Sequence, residues 1–196
     1  MYFNYVASPE MDSFSWYSDC CMNFCELVQQ TTYSCAGNNE GKLMQSKNSE
    51  RLLMFKLDER LLKDTVALGD LALCRVLLMN DSRYPWLILV PRCADMSEVF
   101  QLSAAEQQQL WQETSHVGQV LKDIFQADKI NIATLGNVVK QLHMHVVVRM
   151  QDDAAWPAPV WGNGAAQAYT GEALAAMRTR LQAAFDGYWQ TIEVSV

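Results

Sequence analysis

Apolar residues in this chain come in short runs separated by turn residues, and that punctuation decides most of what it can fold into. Residues 72–79 (ALCRVLLM) and 86–90 (WLILV) have the length of strands and are bounded by turn residues. Between them Asn80-Asp81-Ser82-Arg83-Tyr84-Pro85 gathers turn-forming side chains, so the two runs predict a hairpin. Pro91 and Arg92 close the second run. Two further runs, 129–134 and 140–150, flank the Gly136-Asn137 turn and read as two more strands. No segment reaches the roughly 18 consecutive apolar residues of a membrane-spanning helix, so no membrane partner is expected.

Helices fill the intervals. A short helical piece over 57–63 leads into the first run. Ser103 followed by Glu106 forms a capping box, and the helix it opens runs to about Gln126. Leu110, Thr114, Val117, Leu121 and Phe125 make its apolar stripe, with Gln108, Gln109, Gln112, Glu113 and Lys122 largely elsewhere. A Trp- and Pro-rich loop over 156–162 precedes a C-terminal helix that opens near Thr170. That helix places Leu174, Met177, Leu181 and Phe185 (or Ala184) on its buried side. The order strand, strand, helix, strand, strand, helix predicts an α+β fold with an antiparallel sheet rather than a βαβ series.

The chain has 196 residues and a net charge of −7, enough for one core and too acidic for a protein that coats nucleic acid. The charge is uneven. Residues 1–41 hold no Lys or Arg but carry Glu10, Asp12, Asp19, Glu26 and Glu40, with Cys20, Cys21, Cys25 and Cys35. They show no packing periodicity and lack the basic and apolar regions of a secretory signal. Cys20, Cys21 and Cys25 match no zinc spacing. Residues 1–53 therefore read as a poorly ordered extension, or as text upstream of a start at Met44 or Met54. Residues 54–162 form the main domain and 163–196 a helical C-terminal segment. Cys74 and Cys93 read as buried thiols of a reducing compartment, which fits a cytoplasmic protein.

Of the three histidines in the chain, two are His143 and His145. Side chains alternate along a strand, so Gln141, His143 and His145 are expected on one face, about 6 to 7 Å apart. Upstream, the Gly136-Asn137 turn can offer backbone N–H groups to an anion. Three readings compete for the pair: half-exposed surface, a metal site, and nucleophilic catalysis at phosphorus. A metal would need a third ligand that no motif supplies. In catalysis a neutral imidazole attacks while neighbouring donors hold the phosphoryl oxygens.

Residues 136–147 (GNVVKQLHMHVV) resemble the signature of the histidine triad (HIT) family, three histidines alternating with apolar residues. The resemblance extends upstream through Leu87-Ile88-Leu89-Val90-Pro91-Arg92 and the long helix, and downstream to Trp156-Pro157. It implies a HIT-like antiparallel sheet with the long helix on one face, a homodimer, and cleavage of nucleoside phosphoanhydride or phosphoramidate bonds through a nucleotidyl-histidine. Diadenosine polyphosphates are among the substrates it implies. On this match His143 is the nucleophile, His145 contacts phosphate oxygens, Asn131 and Asn137 supply further phosphate contacts, and Asn80 or Asp81 binds the ribose. No cofactor is required, although polyphosphate substrates usually arrive with Mg²⁺.

Gln141 departs from the family pattern. An amide forms hydrogen bonds but moves no proton near neutral pH. Gln141→His is expected to be tolerated because it restores the pattern. The rival reading is a nucleotide-binding or regulatory module with negligible turnover, in which Gln141 marks lost activity. His116 is expected to face solvent, Arg92 to be exposed or to steer anions, and Trp156 and Trp161 to pack or stack on a base.

Overall fold

A computed structural model describes residues 55–190. The readings of residues 1–53 as an extension or upstream text lie outside the described residues. Five strands, β1 (Thr65–Asp70), β2 (Cys74–Met79), β3 (Trp86–Pro91), β4 (Lys129–Thr134) and β5 (Met144–Arg149), form one sheet in the order β1-β2-β3-β5-β4. Every neighbouring pair is antiparallel. The helices are α1 (Glu59–Asp64), α2 (Ala104–Phe125) and α3 (Gly171–Ala184).

Alternation along the strands sorts side chains onto two apolar layers. Met144, Val146 and Val148 of β5 join Leu87 and Leu89 of β3 beneath α2 and α3. The opposite face carries Trp86, Ile88 and Val90 of β3 with Val147 of β5, covered by Leu57, Leu61, Tyr84, Val160 and Trp161. The histidine pair belongs to this second face.

The capping box that opens α2 is present as the sequence predicts. The Ser103 hydroxyl accepts from the Glu106 amide, and the Glu106 carboxylate accepts from the Ser103 amide at 2.8 Å. Leu110, Thr114, Val117 and Leu121 are buried against the sheet. Gly118 faces β4 and β5, where a Cβ would make ordinary contact with the Ile130 side chain at 3.6 Å. Thr170 caps α3, and Leu181 and Phe185 pack under it as expected.

Several expectations need correction. The first strand of the sheet, β1, is absent from the sequence reading, which ran from a helix directly into residue 72. The short helix spans Glu59–Asp64 rather than 57–63. The strand expected over 140–150 begins at Met144, so Gln141 and His143 precede it. Glu113, expected on the polar side of α2, is buried: its carboxylate accepts from the amides of Leu73 at 2.7 Å and Cys74 at 2.9 Å. It thereby satisfies the start of β2 from the helix above. Cys74 is buried as expected; burial, then the neighbouring Glu113 carboxylate, pushes its thiol well above the ordinary value.

His116 does not project freely into solvent. It is half-buried, with its ring 4.0 Å from that of Tyr188. Arg92 is likewise engaged, donating to the carbonyls of Leu71, Ala72 and Leu73 around the β1–β2 turn. No described helix is long and apolar enough to cross a membrane.

Candidate functional site

His145 sits in the middle of the sheet, opposite Ile88 on β3 and Ala133 on β4. Its flanking residues, Met144 and Val146, point into the core under α2, which fixes the imidazole on the other face. His143 lies just outside the strand. The two rings approach to 4.8 Å between centroids at an interplanar angle of 78°. The strand begins only at Met144, so the pleat of β5 does not fix the direction of the His143 ring. Both residues are buried.

Partner chemistry fixes a proton position on each ring. His143 Nδ1 lies 2.6 Å from the Gln141 carbonyl oxygen. A carbonyl only accepts, so Nδ1 carries a proton, and in the neutral ring Nε2 holds the lone pair. The opposite holds for His145. The Trp86 indole N–H donates to His145 Nδ1 at 3.0 Å. An indole only donates, so Nδ1 is the acceptor and the proton of the neutral ring is on Nε2. Burial, reinforced by the adjacent His143, lowers the His145 pKa from 6.5 to about 3. The ring is therefore neutral across the physiological range. With both rings neutral, the pair thus presents one lone-pair nitrogen and one N–H donor.

Both imidazoles line a cavity of about 360 Å³. Trp86, Trp161 and Ile88 form its floor around His145, and Trp161 lies 5.4 Å from the His145 ring. Leu61, Met79, Leu135, Val138 and Val139 supply further apolar wall. The polar lining is Arg60, Asp64, Thr65 and Asn137. A pocket of this size and mixture suits a small molecule with one flat apolar part and one charged part.

The site residues expected from sequence separate into two groups. His143, His145 and Asn137 share the cavity. Gln141, Asn131, Asn80 and Asp81 do not line it. The Gln141 amide turns the other way: its oxygen accepts from the Asp58 amide and its nitrogen donates to the Lys56 carbonyl, both at 2.9 Å. The expected row of Gln141, His143 and His145 on one strand face is therefore broken at its first member.

Asn131 shares the sheet face of His145, but its side-chain oxygen accepts from Arg149 at 2.7 Å. That guanidinium is buried and also bonded to Asp153, so Asn131 helps satisfy a buried charge. The Asn80 side chain accepts from the Tyr169 amide, and Asp81 pairs with Arg83 at 2.6 Å and accepts from the Gln167 amide. Both hold the 163–169 loop rather than facing the cavity. Sequence reasoning missed Trp86, Arg60, Asp64 and Thr65. Trp86 could have been found only from the pairing of β3 with β5, which places it on the His145 side.

Among the described residues no cluster of three or more His, Cys, Asp or Glu side chains is placed to hold a metal ion.

An antiparallel α+β sheet, a long capped helix on one face and a buried imidazole pair on the other define a histidine-triad-type architecture. The model of the HIT domain matches residues 60–152. A histidine triad protein from Sinorhizobium meliloti is 47% identical, covering 67% of this chain and 98% of its own, with a TM-score of 0.66. One from Marinobacter aquaeolei is 46% identical over 69% of this chain and 98% of its own, with a TM-score of 0.67. A third, from Bradyrhizobium japonicum, is 43% identical over 69% and 98%, with a TM-score of 0.65. No protein curated for function matches. The chain belongs to the histidine triad family, whose members are generally nucleotide hydrolases or transferases.

Proposed function

We propose that this protein hydrolyses nucleoside phosphoanhydrides or phosphoramidates, diadenosine polyphosphates among them, through a nucleotidyl intermediate on His143. The observation that carries the reading is the pair of opposed tautomers. His143 Nε2 offers a lone pair while its Nδ1–H is held by the Gln141 carbonyl, which also stabilises the positive ring formed on attack. His145 Nε2–H is an N–H donor for phosphoryl oxygens. The aromatic and aliphatic wall suits the base and sugar, and Asp64, an exposed carboxylate at the rim, is an acceptor for ribose hydroxyls. Asn137 and its turn supply further donors to phosphate.

Mg²⁺ would enter with a polyphosphate substrate, which chelates it, rather than through a protein site. We further propose a homodimer. β4 is a sheet edge, and the exposed Ile132, Leu135 and Val138 lie on it or on the turn that follows.

His143→Ala is the direct test. Turnover of a dinucleoside polyphosphate should fall by at least about a thousandfold, with nucleotide affinity within a few-fold of the parent. Equal turnover by the variant would refute the assignment. Binding without turnover by the parent would favour the binding-module reading.

A further inference from the structure

Among the described residues the cavity holds a nucleophile and a donor but nothing suited to protonating a departing group. Gln141 stands where the family places its first histidine, and an amide moves no proton near neutral pH. Its side chain is moreover committed outside the cavity, to Lys56 and Asp58. His145 is held in its neutral form by the Trp86 indole, and a neutral imidazole N–H is a hydrogen-bond donor rather than an acid. Arg60 offers a guanidinium, a hydrogen-bond donor rather than an acid, and Asp64 is an exposed carboxylate. The other lining groups among the described residues are hydroxyl, amide, indole, thioether and hydrocarbon.

We propose that this chain selects substrates whose leaving group departs unprotonated as a stable oxyanion, namely phosphoanhydrides and mixed acid anhydrides of a nucleoside monophosphate, over phosphoramidates. The inference rests on the hydrolase reading above and narrows its substrate class.

The chemistry balances without an acid. In the first step His143 Nε2 forms a bond to the α-phosphorus as the bond from phosphorus to the bridging oxygen breaks. The electron pair stays on that oxygen, and a phosphate or carboxylate leaves as its anion. In the second step water oxygen bonds to phosphorus, the phosphorus–nitrogen bond breaks, and its pair returns to His143. The proton of water passes to solvent, and the nucleoside monophosphate is released. An amine cannot leave this way, because breaking its bond to phosphorus without a proton would produce an amide anion.

The test compares kcat/KM of the full-length protein on three probes: aryl esters of AMP with phenols of graded acidity, a mixed carboxylic anhydride of AMP, and an alkylamine phosphoramidate of AMP. Without an acid, kcat/KM for the aryl series should fall steeply and continuously as the leaving-group pKa rises. The phosphoramidate should lie about a hundredfold or more below the anhydride, the least that a positioned acid is worth. A flat aryl series, or a phosphoramidate cleaved as fast as the anhydride, would overturn the inference while leaving the hydrolase reading intact. Cleavage of none of the probes would overturn both.

Discussion

Trp86 is the residue on which the chemistry of His145 turns. Trp86→Phe keeps the ring in the cavity floor but removes the donor that holds His145 in the Nε2–H form. Loss of one such hydrogen bond is worth about 1 kcal/mol, so kcat should fall about five- to tenfold with KM little changed. Steady-state kinetics on the variant would show an unchanged kcat if the tautomer did not matter. Gln141 acts differently, since its amide joins residues 56–58 to the segment that carries the nucleophile. The amide oxygen and nitrogen make these two bonds side by side, whereas the two nitrogens of an imidazole point apart. Gln141→His should therefore destabilise the fold by about 1 to 2 kcal/mol rather than be tolerated. Gln141→Glu should recover stability relative to the parent at acid pH, where the introduced carboxyl regains a donor for the Lys56 carbonyl. Denaturant titrations at several pH values check both.

Among the elements, the end of β5 depends on one buried charge. Arg149 is 2% exposed and bonds Asp153, Asn131 and the Ala158 carbonyl, which ties β5 to β4 and to the loop that carries Trp161. Asp153→Ala strands that guanidinium and should cost about 3 to 5 kcal/mol, read as a lower denaturation midpoint; a change below about 1 kcal/mol would contradict this picture. The network was invisible in the sequence, where Arg149, Asp153 and Asn131 are merely scattered polar residues. By contrast, α2 was legible to within a residue at each end, because its cap and its apolar stripe are local signals. β1 was not: TVALGD is short and carries Gly69 and Asp70, and it becomes a strand by pairing with β2. The His strand was begun four residues too early and ended one too late for the same reason, since pairing with β3 and β4 decides its ends. The sequence thus singled out the two imidazoles that share the cavity but not the indole that orients one of them.

At the scale of the whole molecule, three buried groups give stability an acid-side slope. For His145 the folded value, about 3, lies below the ordinary 6.5. The unfolded chain therefore takes up a proton that the folded chain refuses, and stability falls as pH drops through that interval. Burial opposes ionisation of Asp81 and Asp153, but hydrogen bonds from Arg83 and Gln167, and from Arg149, Ala155 and Met150, outweigh it and hold both carboxyls below their ordinary value. Their contribution is present above about pH 4 and is lost below it. The Tm should therefore decline from pH 7 to pH 4, and His145→Asn should flatten the upper part of that decline; an equal slope in the variant would contradict the His145 assignment. Assembly is tested at the same scale. Ile132→Lys on the β4 edge should convert a dimer to a monomer in light scattering, while a parent already monomeric at micromolar concentration would contradict the dimer proposal.

The proposed chemistry depends above all on covalent nucleotidylation of His143. Intact-protein mass spectrometry after brief exposure to diadenosine polyphosphate, quenched under alkaline conditions that preserve phosphoramidate bonds, reads this directly. The expected result is a nucleoside monophosphate adduct on the parent and none on His143→Ala. Substrate consumption by the parent with an identical adduct on His143→Ala would contradict the account, as would the absence of both adduct and substrate loss in the parent.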